Sequence, residues 1–133
     1  MSLFKSDDFA GKPYGFTTNQ ISHAVAVGFL GLVYGVTFVW FVAFGEFPYK
    51  WALIVFAGVA YAAYELIDQG WHGWDTVEDW WFVNVYGVIG PVLTFTEVEP
   101  GSALFTGSLW VPIPFVLIFY THLGFGAYVR SRP

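Results

Sequence analysis

The stretch YELIDQGWHGWDTVEDWWFVNVYGVIGP, residues 64–91, decides how many times this chain crosses a membrane. It holds Glu65, Asp68, Asp75, Glu78 and Asp79, half of the ten acidic residues, and no Lys or Arg lies within it. Around it the chain is oily: of 133 residues 56% are hydrophobic and 11% charged, with a mean hydropathy of +0.58. These values lie far from the average of soluble domains and identify an integral membrane protein. Aromatic residues make up 23% of the chain, and Trp and Tyr gather near the ends of apolar runs, as in the aromatic belt of a membrane interface. The absence of Cys excludes disulfides, thiolate chemistry and Cys-ligated metals. A net charge of -5 offers no basic patch for nucleic acid or anionic lipid.

Four apolar runs follow from the pattern: residues 21–44, 51–67, 80–95 and 109–129. The first and last suffice for roughly 30 Å of hydrocarbon at about 1.5 Å per residue. The third is short and carries Asn84, Gly87, Gly90 and Pro91, the marks of a broken or re-entrant segment. Charge favours a full crossing: Lys5 and Lys12 precede the first run, Arg130 and Arg132 follow the last, and only Lys50 lies between. An even number of spans places both basic ends in the cytoplasm, as the positive-inside rule prefers. The expected fold is therefore all-α, a single four-helix membrane domain over residues 21–129. A polar leader precedes it over residues 1–20, too acidic for a cleaved signal, and a basic tail follows over residues 130–133.

Local signals fill in this frame. Thr17 with Gln20 and Asp75 with Glu78 have the spacing of capping boxes ahead of the first and third helices. Gly31 and Gly35 make a GxxxG step, and Gly58 with Ala62 a similar small face, both expected to serve close helix packing. Pro112 and Pro114 suit the first turns of the last helix.

Four spans with both ends inside bring the polar residues to one membrane face. His23 opens the first helix, Glu65 and Asp68 close the second, and Asp75, Asp79 and Asn84 open the third. His122 lies eight positions before Arg130, about 12 Å in from the same side. His72 reads as a loop residue, since Gly70 interrupts the helix before it. Ionisable groups in a bilayer pair, cap or line a functional cavity. Two close carboxylates without a cation call for a shared proton or a bound ion. Three answers to the missing cation stay open: His23, His122, or a divalent metal held by Glu65, Asp79, His23 and His122. No hydrolase triad, phosphate loop or HExxH is present, and no helix carries the sustained polar stripe of a pore.

The succession NQISH at 19–23, YELID at 64–68 and WDTVEDW at 74–80, followed by Gly87 and Gly90, resembles the YjdF-like uncharacterised inner-membrane proteins. It is similar, more loosely, to the VanZ-like family. The resemblance covers roughly residues 19–90 and marks His23, Glu65, Asp75 and Asp79 as signature positions, with Asn84 matching an Asn of the VanZ-like pattern. The interval from Asp79 to Gly87 is longer than in that pattern, and the chain is shorter than typical YjdF-like members. What the resemblance implies is a bacterial-type inner-membrane protein with these signature residues in a polar site; a lipid-like substrate is expected from the location of that site near the cytoplasmic membrane face, and a divalent metal from its close carboxylates. The YjdF-like group has no established activity, and VanZ-like proteins are associated with glycopeptide resistance. The competing expectation is a non-catalytic accessory subunit of a photosynthetic or respiratory membrane complex, with the acidic stretch docked on a basic partner. Partners under either reading are the lipid bilayer and other membrane subunits.

Overall fold

A computed structural model describes residues 9–96 and 112–132, and all regular structure in them is helical. Pro13 has no amide hydrogen to leave unpaired and a φ suited to a first helical position, so helix α1 starts there and runs Pro13–Phe44. Helix α2 is Lys50–Gln69 and helix α4 is Pro112–Ser131. Between them helix α3 occupies residues 74–96 without interruption. Parts of α1, α2 and α3 are wound with i→i+5 hydrogen bonds, namely His23–Gly35, Glu65–Gln69 and Phe82–Ile89.

Three helices, α1, α2 and α4, are long and apolar enough to cross a membrane. Helix α3 is not among them, because Asp75, Glu78 and Asp79 crowd its first turns and Asn84 interrupts its middle. Yet it is the most enclosed of the four. Phe82, Val83, Asn84, Tyr86, Gly87 and Val88 are all buried, whereas Val36–Phe44 of α1 buries nothing. Apolar residues of α1, α2 and α4 point outward, among them Val39, Val55, Val59, Leu117 and Tyr120. The bundle thus places its polar helix at the centre and its apolar helices outside, as expected where lipid is the solvent.

The helices alternate in direction. Gln20 of α1 meets Asp79 near the start of α3, and Arg130 at the end of α4 meets Glu78. At the other end Leu53 and Ala57 of α2 pack on Val88 and Val92 of α3, while Phe115 of α4 sits against Gly90. A second apolar cluster joins Phe16, Ala24, Phe82, Tyr86 and Leu123.

Several local expectations are corrected. Helix α1 begins at Pro13, inside the supposed leader, because Phe16 and Gln20 are buried against α4 and α3. Thr17 consequently lies within the helix and donates to the Pro13 carbonyl, so Thr17 and Gln20 form no capping box. Helix α3 begins at Trp74, with Gly73 at its cap and no side-chain cap, and Asp75 and Glu78 are buried in its first turns instead. Nor is α3 short or broken: it spans about 34 Å at about 1.5 Å per residue and continues through Gly90 and Pro91. Helix α4 is described from Pro112, so the expected start at Leu109 lies outside the described residues.

The close helix crossing is also not where GxxxG places it. A Cβ built on Gly31 or Gly35 meets only a carbonyl of its own helix, that of Ala26 or Leu30. At Gly28 it would stand 2.5 Å from the Val83 carbonyl oxygen and 2.7 Å from Gly87 Cα. Backbone meets backbone there, and α1 is pressed onto α3. Gly58 of α2 does face α3, with Trp80 Cζ2 at 3.5 Å from its hypothetical Cβ and its carbonyl accepting the Trp80 indole N–H at 2.9 Å.

Candidate functional site

The turn between α2 and α3 sets up the polar end of the bundle. Gly70 and Gly73 both have positive φ, at 75° and 70°, and together reverse the chain within residues 70–73. His72 bridges the turn, its backbone N–H donating to Thr76 Oγ1 and its ring to the Gln69 carbonyl. The acidic residues on either side are thereby brought to one end of the molecule, where they divide into two groups.

The first group contains the cation that the local sequence lacks. Arg130 Nη2 donates to Glu78 Oε2 at 2.7 Å and lies 3.6 Å from Asp75 Oδ1. The guanidinium stacks over Phe16, 3.9 Å from the ring centroid, and is 7% exposed as a residue. Glu78 is 3% exposed, and its other oxygen accepts from His122 Nε2 at 3.1 Å. A carboxylate only accepts, so Nε2 carries a hydrogen, and Nδ1 is hydrogen-bonded to the Tyr86 hydroxyl at 3.1 Å. This buried chain from Asp75 through Arg130, Glu78 and His122 to Tyr86 ties α3 to α4. Arg130 was absent from the sequence-derived site and sits 52 residues from its main partner. The only hint of it in sequence was an arginine eight residues beyond an inward His.

The second group lies between α1, α2 and α3. His23 Nδ1 is 3.6 Å from Asp79 Oδ1, which accepts from Gln20 Nε2 at 2.7 Å; Asn19 Nδ2 is 3.2 Å from the same imidazole nitrogen. Glu65 is 5% exposed, and no Lys or Arg among the described residues pairs with it. The Tyr61 hydroxyl is buried beside the Glu65 carboxylate, which is near enough to accept from it, although no hydrogen bond of regular geometry is formed. These side chains help wall a cleft of about 650 Å³, lined by His23, Tyr61, Tyr64, Glu65, Asp75 and Asp79 among its polar residues and by Val27 and Leu32 among its apolar ones. Val27 of α1, Tyr64 of α2 and, at the α2–α3 turn, Gln69 and His72 are exposed, so the cleft is open both along α1 and α2 and at the turn.

Other expected members stand apart. Asp68 is exposed and outside the cleft wall. Asn84 orients no carboxylate: it donates to the Trp80 carbonyl of its own helix, and its Oδ1 is buried without a partner. His122 belongs to the Arg130 group, on a different face of α3 from His23, so the metal set Glu65, Asp79, His23 and His122 is not assembled. Among the described residues no three His, Asp or Glu side chains converge on a point that could hold a metal ion. The ionisable and hydroxyl-bearing side chains of the cleft are the carboxylates of Glu65, Asp75 and Asp79, the imidazoles of His23 and His72, the phenols of Tyr61 and Tyr64, and the Thr76 hydroxyl. No family model, characterised protein or solved structure matches this chain.

Proposed function

We propose that the chain is a small polytopic membrane protein, of the kind its YjdF-like and VanZ-like resemblance points to, that receives the polar head of a lipid-like molecule. It would cross the membrane four times with both termini in the cytoplasm, as Lys5, Lys12, Arg130 and Arg132 favour. The observation that carries the reading is the cleft itself: lined by both ionisable and apolar side chains, and with exposed lining residues on two helices whose outer faces suit lipid. An amphiphile can enter such a cleft from the bilayer without its tail leaving hydrocarbon. Within it, His23 and Asp79 can hold or pass a proton, and Gln20 keeps Asp79 in place.

Native mass spectrometry of the protein extracted from its own membrane in mild detergent tests this. A lipid-sized adduct on wild type that is lost in Glu65→Gln and Asp79→Asn is the expected result. Bare wild-type chain of 14.9 kDa or its simple multiples would set the reading aside. Stoichiometric attachment to other subunits in place of an adduct would favour the accessory-subunit alternative.

A further inference from the structure

The charges and rings around the cleft narrow what it accepts. Arg130 is engaged with Asp75 and Glu78; Asp75 lines the cleft, but Arg130 itself does not. Glu65 and Asp79 are left with one imidazole, His23, between them, and no Lys or Arg among the described residues lines the cleft. The wall also carries Asp75, whose charge is answered by Arg130, and His72, whose ring is bonded to the Gln69 carbonyl. The two remaining carboxylates and His23 are net negative even with that imidazole protonated, so one added positive charge would bring this part of the wall close to neutrality.

The wall also holds a buried polar group that makes no hydrogen bond of regular geometry. Tyr61 is 4% exposed, and its hydroxyl, close beside the Glu65 carboxylate, makes no hydrogen bond of regular geometry, an arrangement that a ligand reaching both groups would complete. The Tyr61 and Tyr64 rings stand 5.9 Å apart, with His23 6.4 Å from Tyr61 on another side. Aromatic faces beside carboxylates are how proteins hold ammonium groups. A phosphate, by contrast, would meet carboxylates with no described basic residue to neutralise it.

Resting on the lipid-binding reading above, we infer that the ligand of this cleft is a monocationic amphiphile, with an ammonium head between Glu65, Asp79 and the Tyr61 and Tyr64 rings and an apolar body along Val27 and Leu32. The head can be a primary amine or a quaternary ammonium; what the site reads is one positive charge on an apolar stem, without an adjacent phosphate.

The test uses full-length protein in neutral-lipid nanodiscs and short probes that differ only at the head: hexylamine, hexyltrimethylammonium, hexanol, hexanoate and hexylphosphocholine, with magnesium chloride as the inorganic cation. Thermal unfolding followed by intrinsic fluorescence reports saturable binding. Both ammonium probes are expected to bind at least ten-fold more tightly than hexanol and hexanoate. That preference should fall at least ten-fold in Glu65→Gln and persist in Asp68→Asn, whose carboxylate is outside the cleft. Should Glu65→Gln fail to fold, Tyr64→Leu provides the second readout: it alters an exposed ring and should weaken hexyltrimethylammonium several-fold, with Tyr64→Phe restoring it. Hexanol binding as tightly as hexylamine overturns the inference while leaving a lipid-binding cleft intact. Hexylphosphocholine binding as tightly as the ammonium probes overturns the exclusion of phosphate. Stabilisation by magnesium that depends on Glu65 overturns the organic cation in favour of a metal. If no probe binds and wild type carries no lipid adduct, the cleft reading falls as well.

Discussion

A single residue, Arg130, changes what the acidic stretch means. Glu78 taken alone looks like an N-terminal helix acid, but with the guanidinium 2.7 Å away and His122 on its other oxygen it is half of a buried ion pair. Removing one partner leaves the other charge buried without compensation, a loss of about 3–5 kcal/mol. Arg130→Leu should therefore lower thermal stability strongly in detergent, whereas Arg132→Leu, at an exposed position over Tyr128, should stay close to wild type. Adding Glu78→Gln to Arg130→Leu should recover part of the loss. Equal midpoints for Arg130→Leu and Arg132→Leu would show that the buried pair is not formed. The partition of charge also turns on one residue: Glu78 and Asp79 are adjacent, but one step on a helix of about 3.6 residues per turn rotates a side chain by about 100°. Glu78 consequently faces α4, and Asp79 faces His23 and Gln20 of α1.

Among the elements, α3 and its crossing with α1 dominate. The two backbones touch where Gly28 meets Gly87, and a methyl group on either residue would press on main chain of the other helix, which cannot swing aside like a flexible side chain. Gly28→Ala and Gly87→Ala should each destabilise by about 1–3 kcal/mol, the usual penalty for overpacking, because α1 and α3 must separate. Gly124→Ala, on α4 with open space around its Cβ position, should be neutral or slightly stabilising. Unfolding of the three variants in detergent, followed by circular dichroism, checks this. A Gly28→Ala protein as stable as Gly124→Ala would place the crossing elsewhere. The sequence pattern points to Gly31 and Gly35 because GxxxG is a spacing rule. Which glycines approach a neighbour depends on how the helix is rotated in the bundle, and that rotation is set by the partners.

For the whole molecule the open question is the side of the membrane on which each end lies. With four crossings and cytoplasmic termini, Glu46→Cys and Glu97→Cys should react with a membrane-impermeant maleimide added to whole cells. Gln69→Cys and Arg132→Cys should react only after permeabilisation. The chain has no native Cys to interfere. Labelling of Glu97→Cys from the inside would mean that α3 does not cross, and protection of Glu46→Cys would overturn the orientation. The alternating helix directions and the enclosure of α3 by three lipid-suited helices explain why its own composition falls short of a span. A helix that faces protein on most sides has no need to be apolar all round.

Composition and apolar runs by themselves determined the class of protein, an all-helical membrane bundle, because burial in lipid demands long uncharged stretches whatever their neighbours do. Gly70 already marked the end of the helix that carries Glu65 and Asp68, since a break in helix chemistry is local. The candidate residues His23, Glu65 and Asp79 were also legible, as ionisable groups stand out in an oily chain, and the tertiary structure brings them to one cleft. The eight residues that α1 gains before Ile21 were not legible, because Phe16 and Gln20 become helical through contacts with α3 and α4 rather than through their own pattern. Nor could the sequence show that Arg130 answers Glu78, that His122 leaves His23, or that Asn84 turns to its own backbone. Each of these depends on which helix face meets which, and an ion pair across 52 residues exists only once two helices are packed side by side.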